Sequence, residues 1–214
     1  VELKAEWAAY GLNVYAYSNV ATNATTAGTT YSNNTTGGTV SITYNSNTMD
    51  SNASCGKSAH ASVNLTGGNT AEISAHPATG YEFVGWYTDA SFTGTPVSTN
   101  PYITAAITDA GLNYYAKFSI KSYAITLSKG KGIASVTGTG TYYYGQSITI
   151  NATMNGGYQF SNWSADTTPT GATITSSSSA STTYTIGNGA VTLTATGTPI
   201  TYSIEYKNTE TATN

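Results

Sequence analysis

Two histidines and one cysteine are the side chains of this 214-residue sequence best suited to nucleophilic or metal chemistry. Cys55 lies in the stretch NASCGKSAH, residues 52–60, beside Lys57 and His60. Nearby cations favour a thiolate, yet no Ser-His-acid pattern or ligand spacing surrounds it, so Cys55 reads as a loop or buried thiol. His76 precedes Pro77 and reads as a surface residue, without a partner motif for a metal. The ten acidic residues are scattered, and no two fall at a spacing that suits glycoside hydrolysis. Asp89 and Asp109 stand alone, without the clustered oxygen ligands that calcium needs. The glycine-rich stretch SKGKGIASVTGTG, residues 128–140, lacks the Gly-Lys-Ser/Thr ending and the following helix of a phosphate loop. Its glycines read as hairpin residues. The sequence thus predicts no catalytic residue, no metal site and no cofactor: the chain is not expected to be an enzyme.

Composition narrows the remaining classes. Only 8% of residues are charged, against roughly 25% in an ordinary globular protein. Tyr, Trp, Phe, Val and Ile recur in short runs, which argues against disorder. Thr, Ser and Asn supply the polar surface, and Thr and Tyr suit a pleated, half-exposed sheet. All basic residues are Lys, with none of the Arg that reads phosphates bidentately. With a pI near 5.2 and no basic patch, no nucleic-acid partner is expected. The single Cys excludes an internal disulfide. No apolar run reaches the roughly 18 residues of a membrane span, so no membrane insertion is expected in this segment. No charged region followed by an apolar stretch appears either, so any secretion signal lies outside this segment.

The elements that would position any site repeat themselves. Gly80, Tyr81, Phe83 and Trp86 spell Gly-Tyr-x-Phe-x-x-Trp, and Gly157, Tyr158, Phe160 and Trp163 spell it again. An alternating strand precedes each anchor, Ala71–Ala75 and Ser147–Ala152. Another follows each, Asn113–Phe118 and Val191–Thr196. A new opening strand comes after that, Ser122–Leu127 and Thr201–Tyr206. Leu3–Trp7 matches the closing strand at 114–118. The division predicted is a closing strand of a preceding repeat at 1–9, a first full repeat at 10–118, a second at 119–198, and the opening strand of a following repeat at 199–214. The first repeat is the longer one. Its excess, at 21–36 and 45–61, is rich in Thr, Asn, Ser and Gly and reads as loop or hairpin insertion. The one helix candidate is 102–107, where Ile103 and Ile107 are four apart. The fold class expected is mainly β, in small tandem repeats with at most a short helix in each.

Gly80 and Gly157 permit a turn conformation closed to residues with a Cβ. Tyr81 and Phe83, like Tyr158 and Phe160, point the same way in a strand. A turn or bulge near Gly85 would return Trp86 to the same side. The anchors therefore read as structural core, since a unit of this size has little interior and aromatic rings supply much of it. The alternative is that Trp86 and Tyr87 are exposed and stack on sugar rings.

The stretches GTVSITY, GYEFVGWYTDASFTG and LNYYAKF resemble the Listeria–Bacteroides repeat, or InlB B-repeat, of bacterial surface proteins. YYYGQSITINATMNGGYQFSNWSA with AVTLTATG resembles its divergent form. The resemblance covers most of residues 63–197. It implies a β-grasp-like domain, tandem arrangement and an extracellular place on the bacterial cell surface. Gly197 departs from the pattern by replacing the closing aromatic of Phe118 and Trp7, and the insertion before Gly80 lies outside the short pattern. Adhesins of this kind carry Lys–Asn crosslinks, and Lys117 and Lys4 hold matching strand positions, though alternation equally points both to solvent.

Tandem repetition without a catalytic constellation predicts a stalk or spacer that presents other domains, with neighbouring repeats as its partners. The 18 tyrosines support an alternative, an adhesive module for host or environmental glycan or matrix protein. Tyr142, Tyr143 and Tyr144 are then the candidate contacts, because adjacent strand residues face opposite ways.

Overall fold

The computed structural model of the protein describes residues 11–44, 47–50, 58–62, 70–106 and 112–207. Cys55, Asp109, Lys4, Trp7, the strand expected over 1–9 and the side chain of His60 lie outside that description. Among the described residues all regular structure is β. The first unit contains β1 (Gly11–Ser18), β2 (Ser32–Asn33), β3 (Gly38–Tyr44), β4 (Asn47–Asp50), β5 (Ser58–Ser62), β6 (Thr70–Pro77), β7 (Tyr81–Tyr87), β8 (Tyr102–Ala106) and β9 (Leu112–Ile120). The second contains β10 (Ser122–Lys129), β11 (Ile133–Thr137), β12 (Gly140–Tyr143), β13 (Ser147–Met154), β14 (Tyr158–Ala165), β15 (Thr173–Ile174), β16 (Ser181–Thr185) and β17 (Val191–Pro199).

Each unit folds as two sheets over one core. In the first, the order β2-β1-β9-β7, with β5 also on β1, faces the order β4-β3-β6-β8. In the second, β12-β10-β17-β14 faces β11-β13-β16-β15. Opening and closing strands pair in parallel, β1 with β9 and β10 with β17. The anchor strand then joins the closing strand antiparallel. This mixed sheet is common to both units.

Strict alternation decides which side chains go in. Ala71, Ile73 and Ala75 of β6 are buried, as are Ile148, Ile150 and Ala152 of β13, and the residues between them face outward. The anchors behave as the spacing requires. The β7–β9 register shifts between Phe83 and Gly85, and the β14–β17 register shifts between Phe160 and Asn162. The extra residue of each bulge rotates the indole back to the side of the preceding aromatics. Trp86 is then fully buried and Trp163 nearly so. Phe83 meets Trp86 edge-on at 5.4 Å and Phe118 at 5.9 Å. The possibility that Trp86 and Tyr87 stand exposed to sugars is overturned, because both are buried.

One other expectation fails for a physical reason. The helix candidate at 102–107 is the strand β8 over its described part. A spacing of four fits a period of two as well as a helical turn, and pairing with β6 buries Ala105 against the core. Thr201–Tyr206 forms no strand, and Tyr202, Ile204 and Tyr206 are exposed. A strand exists only by pairing its backbone, and no ladder involving these residues forms among the described residues.

The excess length of the first unit has two places. The turn from β10 to β11 is Gly130–Gly132, whereas β1 and β3 are joined by residues 19–37. Gly37 at the end of that loop and Gly38, which opens β3, close over Phe118, leaving no room for a Cβ at either. In the second unit the short turn approaches the backbone instead. The Gly197 N–H donates to the Lys131 carbonyl at 2.8 Å, and a Cβ at Gly197 would stand 2.9 Å from the Gln159 oxygen. The missing closing aromatic is thus compensated by a tighter turn. Residues 45–61, read as a hairpin insertion, contribute β4 and β5, which pair with β3 and β1.

Candidate functional site

Three surface features carry polar or aromatic groups at close quarters: the junction of the two units, the outer face of the β1–β9 sheet, and the loop at Asp89.

The junction contains one residue, Lys121, between β9 and β10. Its N–H donates to the Gly80 carbonyl at 2.8 Å, and its own carbonyl accepts the Tyr144 N–H at 3.0 Å. Tyr143 and Tyr144 belong to the second unit by sequence but pack against the first unit's core. Tyr144 lies directly on Gly80, whose φ of +79° is left-handed; a Cβ there would fall 2.1 Å from the ring. From the other side Ala24 of the 19–37 loop packs on the second core, and Gln146 Nε2 donates to the Asn23 carbonyl. Tyr142 packs on the second core and donates its hydroxyl to the Gly138 carbonyl at 3.0 Å. The three tyrosines proposed from sequence as ligand contacts are therefore half-buried, two of them in the junction. A polar groove of about 810 Å³ runs along it, lined by Asn19, Tyr31, Glu82, Lys121 and Tyr123 among others.

The outer face of the β1–β9 sheet is aromatic. Since Val14, Ala16, Ala116 and Phe118 point into the core, Tyr15, Tyr17, Tyr115 and Lys117 point out. The parallel register sets Asn13 opposite Asn113, Tyr15 opposite Tyr115 and Tyr17 opposite Lys117. Asn13 Nδ2 donates to Asn113 Oδ1 at 3.0 Å, and the Tyr15 and Tyr115 rings stack at 5.0 Å with planes 14° apart. Phe92 meets Tyr17, Tyr31 and Tyr87 edge-on at 5.4, 5.3 and 5.2 Å. The Lys117 ammonium, which the sequence offered for a crosslink, stands 4.5 Å from the Tyr31 ring centroid and 5.3 Å from that of Phe92.

Phe92 has a φ of 56°, a conformation costing a side-chain-bearing residue about 1–3 kcal/mol. The loop that imposes it is pinned by Asp89. Its Oδ1 accepts the Ser91 N–H at 2.9 Å and the Ser91 hydroxyl, and these bonds hold its carboxyl below the usual carboxylate range. Asp166 is lowered likewise, chiefly by the Thr192 N–H at 2.9 Å.

The outer face is not legible in the sequence, although LNYYAKF contains Tyr114 and Tyr115. Tyr15 and Tyr17 come from the first strand, Tyr115 from the last, and Phe92 and Tyr31 from loops. Only the parallel pairing assembles them. No group of three or more His, Cys, Asp or Glu gathers among the described residues. His76 is exposed and its Nε2 lies 3.2 Å from the Ser41 hydroxyl. No helix among the described residues is long and apolar enough to cross a membrane, which says nothing of β-barrels.

Burial raises the phenol pKa of Tyr17, Tyr81, Tyr115, Tyr123 and Tyr184, with a nearby tyrosine or carboxylate adding to each. A raised acid keeps its proton longer folded than unfolded. Stability is therefore intact below the free-tyrosine value of about 10 and falls as pH rises above it. Denaturation midpoints measured from pH 8 upward are expected to stay level to about pH 10 and then decline steeply; a level midpoint beyond that would contradict the packing of these rings.

Two copies of one β unit, joined through a single residue, define a tandem β-repeat module. The chain belongs to the family described as Divergent InlB B-repeat domain, which matches residues 47–122 and 123–201. The divergent form, assigned from sequence to the second copy, thus matches both. No curated protein matches the chain in sequence. Among solved structures it is similar to the TIE protein of Bacillus anthracis, at 9% identity and a TM-score of 0.41, over 88% of this chain and 34% of that one. It is also similar to a point mutant of the shaft pilin SpaA from Lactobacillus rhamnosus GG, at 11% identity and a TM-score of 0.25, over 88% of this chain and all of that one. The chain therefore spans about a third of the length of the TIE protein chain. It is a β-rich tandem repeat module of a bacterial surface protein.

Proposed function

We propose that the module is an extracellular stalk segment, a semi-rigid spacer that carries other domains away from the cell surface. The junction carries this reading. One connecting residue, two backbone hydrogen bonds, a ring seated on Gly80 and reciprocal packing by Ala24 leave little freedom for one unit to swing against the other. The second unit presents the same socket. Gly157 has the φ of Gly80, its carbonyl accepts the Ile200 N–H at 2.8 Å as Gly80 accepts from Lys121, and nothing among the described residues stands within 4 Å of a Cβ there. The exposed Tyr202, Ile204 and Tyr206 alternate like β10, whose Ile125 and Leu127 are buried. We propose that the segment from residue 199 onward becomes an opening strand when a following repeat pairs with it, and that Gly157 is the seat for an aromatic of that repeat. Amide relaxation of the full chain tests this: β7 and β14 should report one overall tumbling time. Two separate, shorter times would sink the spacer reading.

An adhesive role is the second reading, favoured by one observation: the outward rings of the first unit are contiguous rather than scattered. Host or environmental glycan and matrix protein are the partners it would take.

A further inference from the structure

The outer aromatic face is not needed by the fold. The two units share strand order and register, so Trp86 opposite Ala116 matches Trp163 opposite Ala195. Counting from there, Tyr115 corresponds to Thr194, Lys117 to Thr196, and Tyr87, paired with Tyr115, to Ser164, paired with Thr194. Across the parallel pair, Tyr15 corresponds to Ser128 and Asn13 to Thr126. The second unit builds the same sheet with small polar residues at each of these places. The first unit adds rings there, and holds Phe92 in a left-handed conformation to brace them.

We propose that this face of the first unit binds a neutral oligosaccharide, with Tyr15, Tyr17 and Tyr115 as its stacking surface and Asn13 and Asn113 as its polar end. The inference rests on the adhesive reading and gives it a site and a ligand class. The ladder sets the stacked Tyr15–Tyr115 pair, half-exposed and free on its outer sides, in one row and an amide pair in the next. Successive rows stand roughly 6.6 Å apart, two residues along a strand. Ring faces take the C–H side of a sugar, their negative quadrupole attracting its positive edge. Phenol hydroxyls and the amide groups left over from the Asn13–Asn113 bond serve its hydroxyls. The rings are restrained by stacking and edge contacts before any ligand arrives, which lowers the ordering cost of binding.

An anionic polymer fits poorly. The chain carries a net charge of −3, and Lys117, the one cation of the face among the described residues, is covered by rings. A protein partner fits less well than a sugar, because a standard interface needs roughly 800 Å² on each side around a desolvated centre. Here Lys117 and Phe92 already fill the centre.

The test uses the full chain, titrated by calorimetry and by amide and ring NMR shifts with cellohexaose, mannohexaose and chitohexaose. The variant is Tyr15→Ser/Tyr115→Thr, which installs the residues the second unit uses in the same sheet; the single Tyr115→Thr serves if the pair does not fold. Saturable binding of at least one hexasaccharide is expected, with shifts centred on β1 and β9. The variant should bind at least about tenfold more weakly, the loss of one stacking contact or more. Silence of the wild type to about 10 mM, weaker than any useful affinity, overturns the inference, as does undiminished binding by the folded variant. A parallel panel of matrix proteins separates the two levels. Binding there that the variant loses would overturn the sugar while keeping adhesion at this face, and silence in both panels would remove adhesion as well.

Discussion

Trp86→Ala is expected to unfold the first repeat at room temperature or leave it on the edge of unfolding. The indole is wholly buried and touches Phe83 and Tyr114 edge-on at 5.4 and 6.4 Å. Removing a core Trp costs about 3–5 kcal/mol, against a domain stability of about 5–15 kcal/mol. The second repeat keeps its own core around Trp163, so denaturant curves should split. Far-UV dichroism should show an early and a later transition, with the amide signals of β14 following the later one; coincident transitions at the wild-type midpoint would refute the anchor role. The phenylalanine variants sharpen the comparison. Trp163 Nε1 donates to the Ser179 carbonyl at 3.1 Å, whereas Trp86 Nε1 is buried with no hydrogen-bond partner among the described residues. Trp163→Phe gives up a bond, and Trp86→Phe gives up an unsatisfied donor. The first should therefore cost about 1 kcal/mol more than the second.

How far the sequence alone leads can be judged at particular residues. The anchors were readable because a bulge leaves a mark in one strand, a glycine or small residue between aromatics spaced two and then three apart. The alternating strands β6, β9, β10, β13 and β17 were readable because one buried face imposes a period of two. What failed is what one strand cannot show. Ile103 and Ile107 satisfy both periods, and only the pairing of β8 with β6 decides between them. The packing of Tyr143 and Tyr144 cannot be read from their own strand, because their partners, Gly80 and the first core, lie in the other repeat. The aromatic face was invisible for the same reason. Tyr15 and Tyr115 are 100 residues apart in the sequence and meet only because opening and closing strands pair in parallel. The stretch 21–36 reads as a loop or hairpin insertion, and Asn19 just before it is buried. Its Oδ1 accepts the Ile120 N–H at 2.9 Å, while its Nδ2 donates to the Gly28 carbonyl at 3.1 Å. Asparagine is so frequent in this chain that one structural copy does not stand out.

Gly80→Ala is expected to break the junction, and Gly157→Ala is the internal control for the reason. Both glycines have φ of 79°, and each carbonyl accepts an N–H at 2.8 Å from the residue that leads into the next segment. An alanine pays the same conformational cost at either, about 1–2 kcal/mol. They differ in what the new methyl meets. At Gly157 nothing among the described residues lies within 4 Å, whereas at Gly80 the Tyr144 ring stands at 2.1 Å. That ring is packed on the first core and its backbone is tied to Lys121, so it clears the methyl only by leaving the junction. Gly80→Ala should therefore destabilise more than Gly157→Ala, and it alone should split the single tumbling time into two. Adding Tyr144→Ala should remove most of the excess, a coupling of about 0.5–3 kcal/mol in the double-mutant cycle. Equal costs for the two glycine variants, with one tumbling time in both, would mean that Tyr144 rests on Gly80 without holding it. The rigidity of the rod would then have to come from the 19–37 loop, through Ala24 and Asn23.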